Sequence, residues 1–109
     1  MTVTAKRFIN GSSLTASAAT YYTAPASAKA VIKALAICNT SGGAIAVTIY
    51  LVPNGGTATA DNAITAGVSV AASATYTCPE AVNQVLEAGG MIQAKGALLS
   101  IVASGVEIT

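Results

Sequence analysis

The stretch from Ala44 to Val52, AIAVTIYLV, alternates between large aliphatic side chains and smaller or more polar ones. Its odd positions hold Ile45, Val47, Ile49 and Leu51, whereas its even positions hold alanine, threonine and tyrosine. A period of two residues is typical of a β-strand that packs one face on a core and turns the other outward. The stretch therefore predicts a half-buried strand, with the four aliphatic side chains on the core face.

The segment before it, residues 31–40, predicts a second strand that is apolar on both faces. One face would carry Val31, Leu35 and Ile37, and the other would carry isoleucine, alanine and cysteine. Such a strand is central in its sheet or is covered by another subunit. Lys33 interrupts the first face, which places it near an edge or an interface. Between the two strands, Asn39-Thr-Ser-Gly-Gly43 offers the glycines that a tight hairpin uses.

The rest of the chain alternates short β-rich runs with turn residues, and one run has a helical pattern. Pro79 is a residue type favoured at the first position of a helix, and Glu80 would interact favourably with the positive end of the helix dipole. Gly89-Gly90 could end such a helix. Three apolar residues follow at helical spacing, namely Val82, Val85 and Leu86. In the last strand, residues 98–108, four apolar residues share one parity, which we expect to face inward with Glu107 on the outward parity, and Gly105 could mark a bulge; the four are Leu98, Val102, Val106 and Ile108.

These patterns predict an all-β protein that folds as a single-domain β-sandwich, of jelly-roll or immunoglobulin-like character. We expect seven to eight strands and one short helix. A chain of 109 residues fits one domain over residues 1–109, because domains commonly hold ~100–200 residues. The first ~15 residues are a candidate extended arm, as terminal segments often are.

The charge content is low for a globular domain. Only 8% of the residues are charged, whereas about 25% is typical. Cores of protein interfaces are depleted in charge, so the composition favours a surface that is covered by neighbouring subunits over a monomer coated with serine and threonine. The basic residues are scattered, which disfavours nucleic-acid binding. No apolar stretch approaches the ~20 residues of a membrane helix.

The sequence contains no recognisable catalytic, metal or cofactor site. It has no histidine, the commonest general base and metal ligand, and its four carboxylates are far apart in the sequence. We therefore expect a protein that is not an enzyme and that needs no cofactor or metal. Cys38 and Cys78 lie in apolar, strand-like surroundings, where a free thiol behaves as a small hydrophobic group; two buried free thiols are favoured over a disulfide.

Four residues are candidates for an interface with other proteins: Lys33, Tyr21, Tyr22 and Tyr50. Tyrosine is enriched at interfaces, and Tyr21 and Tyr22 would place one ring on each face of a strand, one in the core and one at the surface. An alternative from another class is a glycan-binding β-sandwich module, in which exposed tyrosines would form a platform for a sugar.

Three stretches together resemble a group of small virion proteins of tailed bacteriophages. They are Ala19–Ala26, then residues 29–40 running into Thr48–Pro53, and the terminal Ala103–Thr109. The likeness covers most of the chain from about residue 18. It lies in the sequences of predicted β-strands and not in a catalytic motif. The resemblance implies a non-enzymatic structural protein that is present in many copies and carries no functional site that could be transferred residue by residue.

The same resemblance implies a place in the virion, assembled in the host cytoplasm. Proteins of this group decorate the capsid as cement, or form part of the neck, the tail or a fibre base. The expected partners are further copies of the chain and other virion proteins, such as the major capsid protein or tail proteins. A homotrimer is the expected oligomer by analogy with jelly-roll modules at threefold positions of icosahedral shells.

Overall fold

In the computed structural model, which describes all 109 residues, strands hold 58% of the chain and helical structure is confined to two three-residue 3₁₀ turns, Ala60–Asn62 and Pro79–Ala81. The prediction of an all-β fold is confirmed. The nine strands are β1 (Val3–Ser13), β2 (Ala19–Thr23), β3 (Lys29–Asn39), β4 (Ile45–Val52), β5 (Ala63–Val70), β6 (Thr75–Thr77), β7 (Val85–Leu86), β8 (Met91–Lys95) and β9 (Leu99–Ile108).

The strands form two antiparallel sheets. The five-stranded sheet has the order β1-β9-β3-β6, with β7 also paired to β3, and the four-stranded sheet has the order β2-β8-β4-β5. β6 pairs with residues 36–38 of β3 and β7 with residues 30–31, so the two together occupy one strand position. Along the chain, β1 pairs with β9, β2 with β8, β3 with β6 and β7, and β4 with β5. This nested pairing, from the two ends of the chain toward its middle, is the jelly-roll arrangement. The division of that one position gives nine strands instead of seven or eight.

The core lies between the two sheets, and β4 contributes to it as its sequence predicts. Val47 and Ile49 are fully buried, while Ile45 and Leu51 are half-buried and pack against the same cluster. The cluster contains 20 buried residues from both sheets. The core face assigned from the alternation of residues 44–52 is therefore confirmed.

β3 is a central strand, as predicted, because β9 pairs with one of its edges and β6 and β7 pair with the other. Its two faces differ from the prediction. The register against β9 shifts between Ile32 and Ala34, so Lys33 is the extra residue of a β-bulge. Ile32 and Leu35 both face the core, whereas Val31 faces outward with its ladder partner Val106.

The inward face of β9 is the opposite of the predicted one. Leu99, Ile101 and Ala103 are buried, whereas Leu98 and Val102 are exposed. Both parities of this strand are apolar, so alternation alone could not identify the inward one. Gly105 marks the inward parity, because a Cβ atom there would lie 2.7 Å from the Phe8 ring in the core.

The predicted helix after Pro79 does not form beyond one 3₁₀ turn. Asn83 N–H donates to the Ile32 carbonyl (2.7 Å), and the Ile32 N–H donates to the Gln84 carbonyl (2.9 Å). These backbone groups therefore pair with β3 instead of with each other. Asn83 has a positive φ of 67°, which ends any helix. Of the expected apolar stripe, only Leu86 is buried.

The first residues are not an extended arm, because β1 pairs with β9 from Val3 to Ser13. The two chain ends are also tied together, since the N–H groups of Thr2 and Thr109 each donate to the other residue's carbonyl, at 3.0 and 2.9 Å. The 39–43 turn likewise differs from the expected hairpin. It carries the chain from β3 in one sheet to β4 in the other, and β4 forms its hairpin with β5.

Candidate interaction surface

The outer face of the five-stranded sheet is rich in exposed aliphatic side chains. Directly opposite residues of an antiparallel ladder share a face, so the register defines two apolar rows. The first row runs across four strands through Ala5, Val106, Val31 and Val85. The second contains Val102, Ala36 and Thr77. Val85 and Val102 are 51% and 40% exposed, so we name this surface the aliphatic face.

The outward positions of the four-stranded sheet are more polar. Its ladder sets Thr48 beside Lys95, Thr20 beside Gln93, and Ala46 beside Ser69. Large aliphatic side chains on this side are few, and one of them, Val52, is buried. The two outer surfaces therefore differ, and the apolar one is the candidate for contact with another protein.

The charges on the aliphatic face are basic. Arg7 lies opposite Ser104 in the ladder between β1 and β9, and Lys33 is the bulge residue of β3. Neither side chain takes part in an ion pair. Lys29 is held in an exposed ion pair with Glu87, at 3.5 Å. Glu107 was expected on the outward side of β9, but it lies opposite the buried Ala30 and points between the sheets. No carboxylate occupies the rows that hold the aliphatic side chains and Arg7.

Lys33 stands between two depressions in the aliphatic face. One is an open cleft of about 280 Å³, lined chiefly by Ala34, Leu35, Ala36, Thr77, Cys78, Pro79 and Val82. The other is shallower and is lined by Arg7, Ser104 and Val106, among others. The cleft forms because the chain leaves β3 between β6 and β7. The Lys33 ammonium donates to Asn83 Oδ1 at 3.0 Å, which holds the lysine over this gap.

Of the four residues predicted at an interface, only Lys33 lies on the aliphatic face. Tyr22 and Tyr50 are each 8% exposed, so little of either ring is left for a second protein or for a sugar. Tyr21 is half-buried, and its hydroxyl donates to the Ser13 carbonyl at 3.3 Å. Tyr22 is a core ring, but Tyr21 is half-buried and packs against the same core cluster instead of lying at the surface. The ladder between β2 and β8 shifts between Thr20 and Tyr22, so Tyr21 is an extra residue in β2. The structure brings no two of these tyrosines together in an exposed platform.

Tyr22 joins the two sheets through groups that are distant in the sequence. Its ring stacks on Phe8 with centroids 4.2 Å apart, and its hydroxyl donates to Glu107 Oε2 at 2.5 Å. Lys6 approaches the same oxygen at 3.3 Å. Burial and the hydrogen bond to the carboxylate raise the pKa of Tyr22, while the donated hydrogen bond from Tyr22 lowers the pKa of Glu107. These contacts link the two sheets to each other, because Tyr22 belongs to one sheet and Phe8 and Glu107 belong to the other.

A second polar cluster surrounds Glu80, for which the sequence predicted only a helix-dipole role. The Tyr76 hydroxyl lies 2.7 and 2.6 Å from its two carboxylate oxygens, and the Cys78 thiol donates to one of them at 3.1 Å. These hydrogen bonds lower the pKa of Glu80 to about 2. Desolvation, followed by the bond to Glu80, raises the pKa of Tyr76 to about 12. Because all three residues fall within five positions, local sequence could have indicated the pairing of Tyr76 with Glu80.

We expect the hydrogen bonds to Glu80 to make the thermal stability of the protein depend on pH in the acid range. A carboxyl whose folded pKa of about 2 is below the ordinary ~4.3 stabilises the fold above that ordinary value. The contribution is lost as the pH falls toward 2. Glu80→Gln should therefore reduce the fall in melting temperature between pH 5 and pH 2, measured by thermal unfolding. Glu87→Gln, in an exposed ion pair, is the control. An acid dependence identical to that of the wild type would contradict the assignment.

Both cysteines are free, as predicted, but only one of the two is buried. Cys78 is buried, and burial raises the pKa of its thiol, whereas Cys38 is half-buried. Cys38 pairs with Ser100 in the ladder and faces outward on the aliphatic face. No group of three or more potential ligands among histidine, cysteine, aspartate and glutamate is placed to hold a metal ion. The fold has no helix with the length and apolar character needed to cross a membrane.

No family model, no curated protein sequence and no solved structure matches the chain.

Proposed function

We propose that this protein is a structural component of a tailed-bacteriophage virion, assembled in the host cytoplasm, and that it acts as a capsid decoration protein. The observation that carries the proposal is the aliphatic face, on which Val85 and Val102 are 51% and 40% exposed. A contiguous apolar surface of this kind is a common mark of a protein–protein contact. Decoration by this face would stabilise the particle by burying surface, without chemistry.

Three further features support the proposal. The chain has 8% charged residues, a composition suited to a surface that is mostly covered. Jelly-roll sandwiches occur among viral capsid proteins as well as lectins and other classes, so the fold is compatible with the role but does not decide it. The strand sequences of residues 19–26, 29–40, 48–53 and 103–109 resemble those of phage virion proteins.

Many copies on one particle would make modest contacts effective. Each copy would bind the shell through the aliphatic face and touch its sister copies through other surfaces. When one copy is held in place, its neighbours bind at a high effective concentration, so that avidity exceeds the affinity of any single contact. We propose a trimer as the repeating unit, with each copy presenting one surface to the next around a threefold axis.

The proposal is tested with virions made from a genome that encodes the chain and with virions from the same genome after deletion of the gene. We expect the chain in purified particles in many copies, antibody–gold label over the shell, and earlier release of DNA on heating when the gene is deleted. Label confined to the neck, tail or fibre base would replace decoration with the alternative structural role. Absence of the chain from purified virions would refute the proposal.

A further inference from the structure

We infer that the aliphatic face receives a surface of a different virion protein that combines an apolar anchor side chain with flanking carboxylates, and that Lys33 lies where the two meet. The inference rests on the proposed function and adds the chemistry of the partner. It follows from the charges on the face, the cleft beside Lys33 and the area that the face can bury.

The charges select a partner of opposite sign over a second copy. Arg7 and Lys33 take part in no ion pair, and no carboxylate shares their rows. Packing two aliphatic faces together would set these cations against a second face whose rows hold further cations and no carboxylate, and like charges brought together at an interface are strongly unfavourable. Carboxylates on the opposing surface would neutralise both cations and steer the encounter.

The cleft beside Lys33 is the part of the aliphatic face that would bind an apolar side chain of the partner. Its volume of about 280 Å³ equals the liquid volume of roughly nine waters at ~30 Å³ each, enough for a large aliphatic or aromatic side chain. Methyl groups and ring carbons form much of its wall, from Ala34, Ala36, Pro79 and Val82. Apolar anchors in such pockets carry much of the binding energy of interfaces. The Lys33 ammonium at the mouth can meet a carboxylate beside the anchor.

The area of the face is also adequate for one interface. β9 has 10 residues, so the face is about 34 Å long, and four strands spaced ~4.8 Å apart make it about 19 Å wide. Such a face covers on the order of 600 Å², most of the ~800 Å² that each partner contributes to a standard interface. A single flat partner surface can therefore occupy it.

The test adds purified chain to particles made without it and measures bound copies per particle against concentration. Two matched pairs of variants distinguish binding through the aliphatic face from binding through the outer side of the four-stranded sheet. Lys33→Glu reverses a charge on the aliphatic face, and Lys95→Glu makes the same change on the outer side of the other sheet. Ala36→Glu places a carboxylate in an apolar row of the face, and Ala46→Glu places one at an exposed position on the polar side.

We expect Lys33→Glu and Ala36→Glu to bind at least about tenfold more weakly, with Lys95→Glu and Ala46→Glu close to the wild type and Lys33→Arg largely retained. Thermal unfolding of each variant verifies the fold, and a neutral Lys33→Met should lie between the extremes. Wild-type binding should weaken as salt is raised.

Normal binding by both Lys33→Glu and Ala36→Glu would overturn the inference and leave the proposed function standing. Purified chain that self-associates in solution, with the association broken by Ala36→Glu but not by Ala46→Glu, would show a second copy on this face and would also overturn it. Wild-type chain that neither binds these particles nor occurs in complete ones would refute the proposed function itself.

Discussion

Asn39→Ala should lower the free energy of unfolding by about 3 kcal/mol, measured by chemical denaturation. Asn39 is fully buried at the point where the chain leaves β3 for the other sheet. Its amide donates to the carbonyls of Gly43 (2.8 Å) and Val70 (2.9 Å), and its Oδ1 accepts from the Ser41 N–H (2.9 Å) and hydroxyl (2.6 Å). The side chain thus ties β3, the connecting turn and β5 together.

The size of the effect follows from the partners that the alanine would leave behind. Each net hydrogen bond contributes ~1 kcal/mol, and an abandoned buried donor or acceptor costs about 1–3 kcal/mol. Asn39→Asp should also destabilise the protein, because a carboxylate cannot donate to the two carbonyls. Asn10→Ala, at an exposed position, is the control. Equal stability of Asn39→Ala and the wild type would contradict the role of this residue.

Gly105→Ala is the second substitution for which we expect a large effect, about 3 kcal/mol or more of lost stability. A Cβ atom at this position would lie 2.1 Å from the Val31 carbonyl oxygen and 2.7 Å from the Phe8 ring. Overpacking a core costs ~1–3 kcal/mol, and here one of the two neighbours is backbone in the adjacent strand, which cannot move without disturbing the ladder.

The comparison for Gly105→Ala is Gly43→Ala in the open turn between the sheets. A Cβ atom at Gly43 meets nothing within 4 Å, and its φ is not in the positive range. Alanine there should leave stability nearly unchanged. Similar unfolding free energies for the two variants would mean that β9 does not present Gly105 to the core.

The fold class and the core face of β4 could be predicted from the sequence because each depends on a local pattern. Residues 44–52 contrast aliphatic side chains with smaller ones at a period of two, and this contrast is local. β9 lacks it, since Leu99 and Ile101 on one side compete with Val102 and Val106 on the other. The aliphatic face itself is the reason, because an outward surface that is rich in valine has the composition of a core face and conceals the inward parity.

The wrong helix and the missed bulge arise from pairing across the chain. Val82, Val85 and Leu86 have helical spacing, yet the backbone of residues 83–84 is held by Ile32, which lies about 50 residues earlier in the chain. Lys33 was marked as an interruption, but a bulge is defined only against the partner strand. The Tyr22–Glu107 pair joins opposite ends of the sequence, so composition and spacing gave no indication of it.

The central claim, that the aliphatic face is covered when the protein is assembled, is tested most directly by the thiol of Cys38. This thiol faces outward on the aliphatic face and is half-buried, whereas Cys78 is buried in the domain. In the purified chain, a small alkylating reagent should modify Cys38 and spare Cys78, as quantified by mass spectrometry. In intact virions we expect Cys38 to be protected at least about tenfold. Alkylation of Cys38 at the same rate in virions and in the free chain would contradict the account.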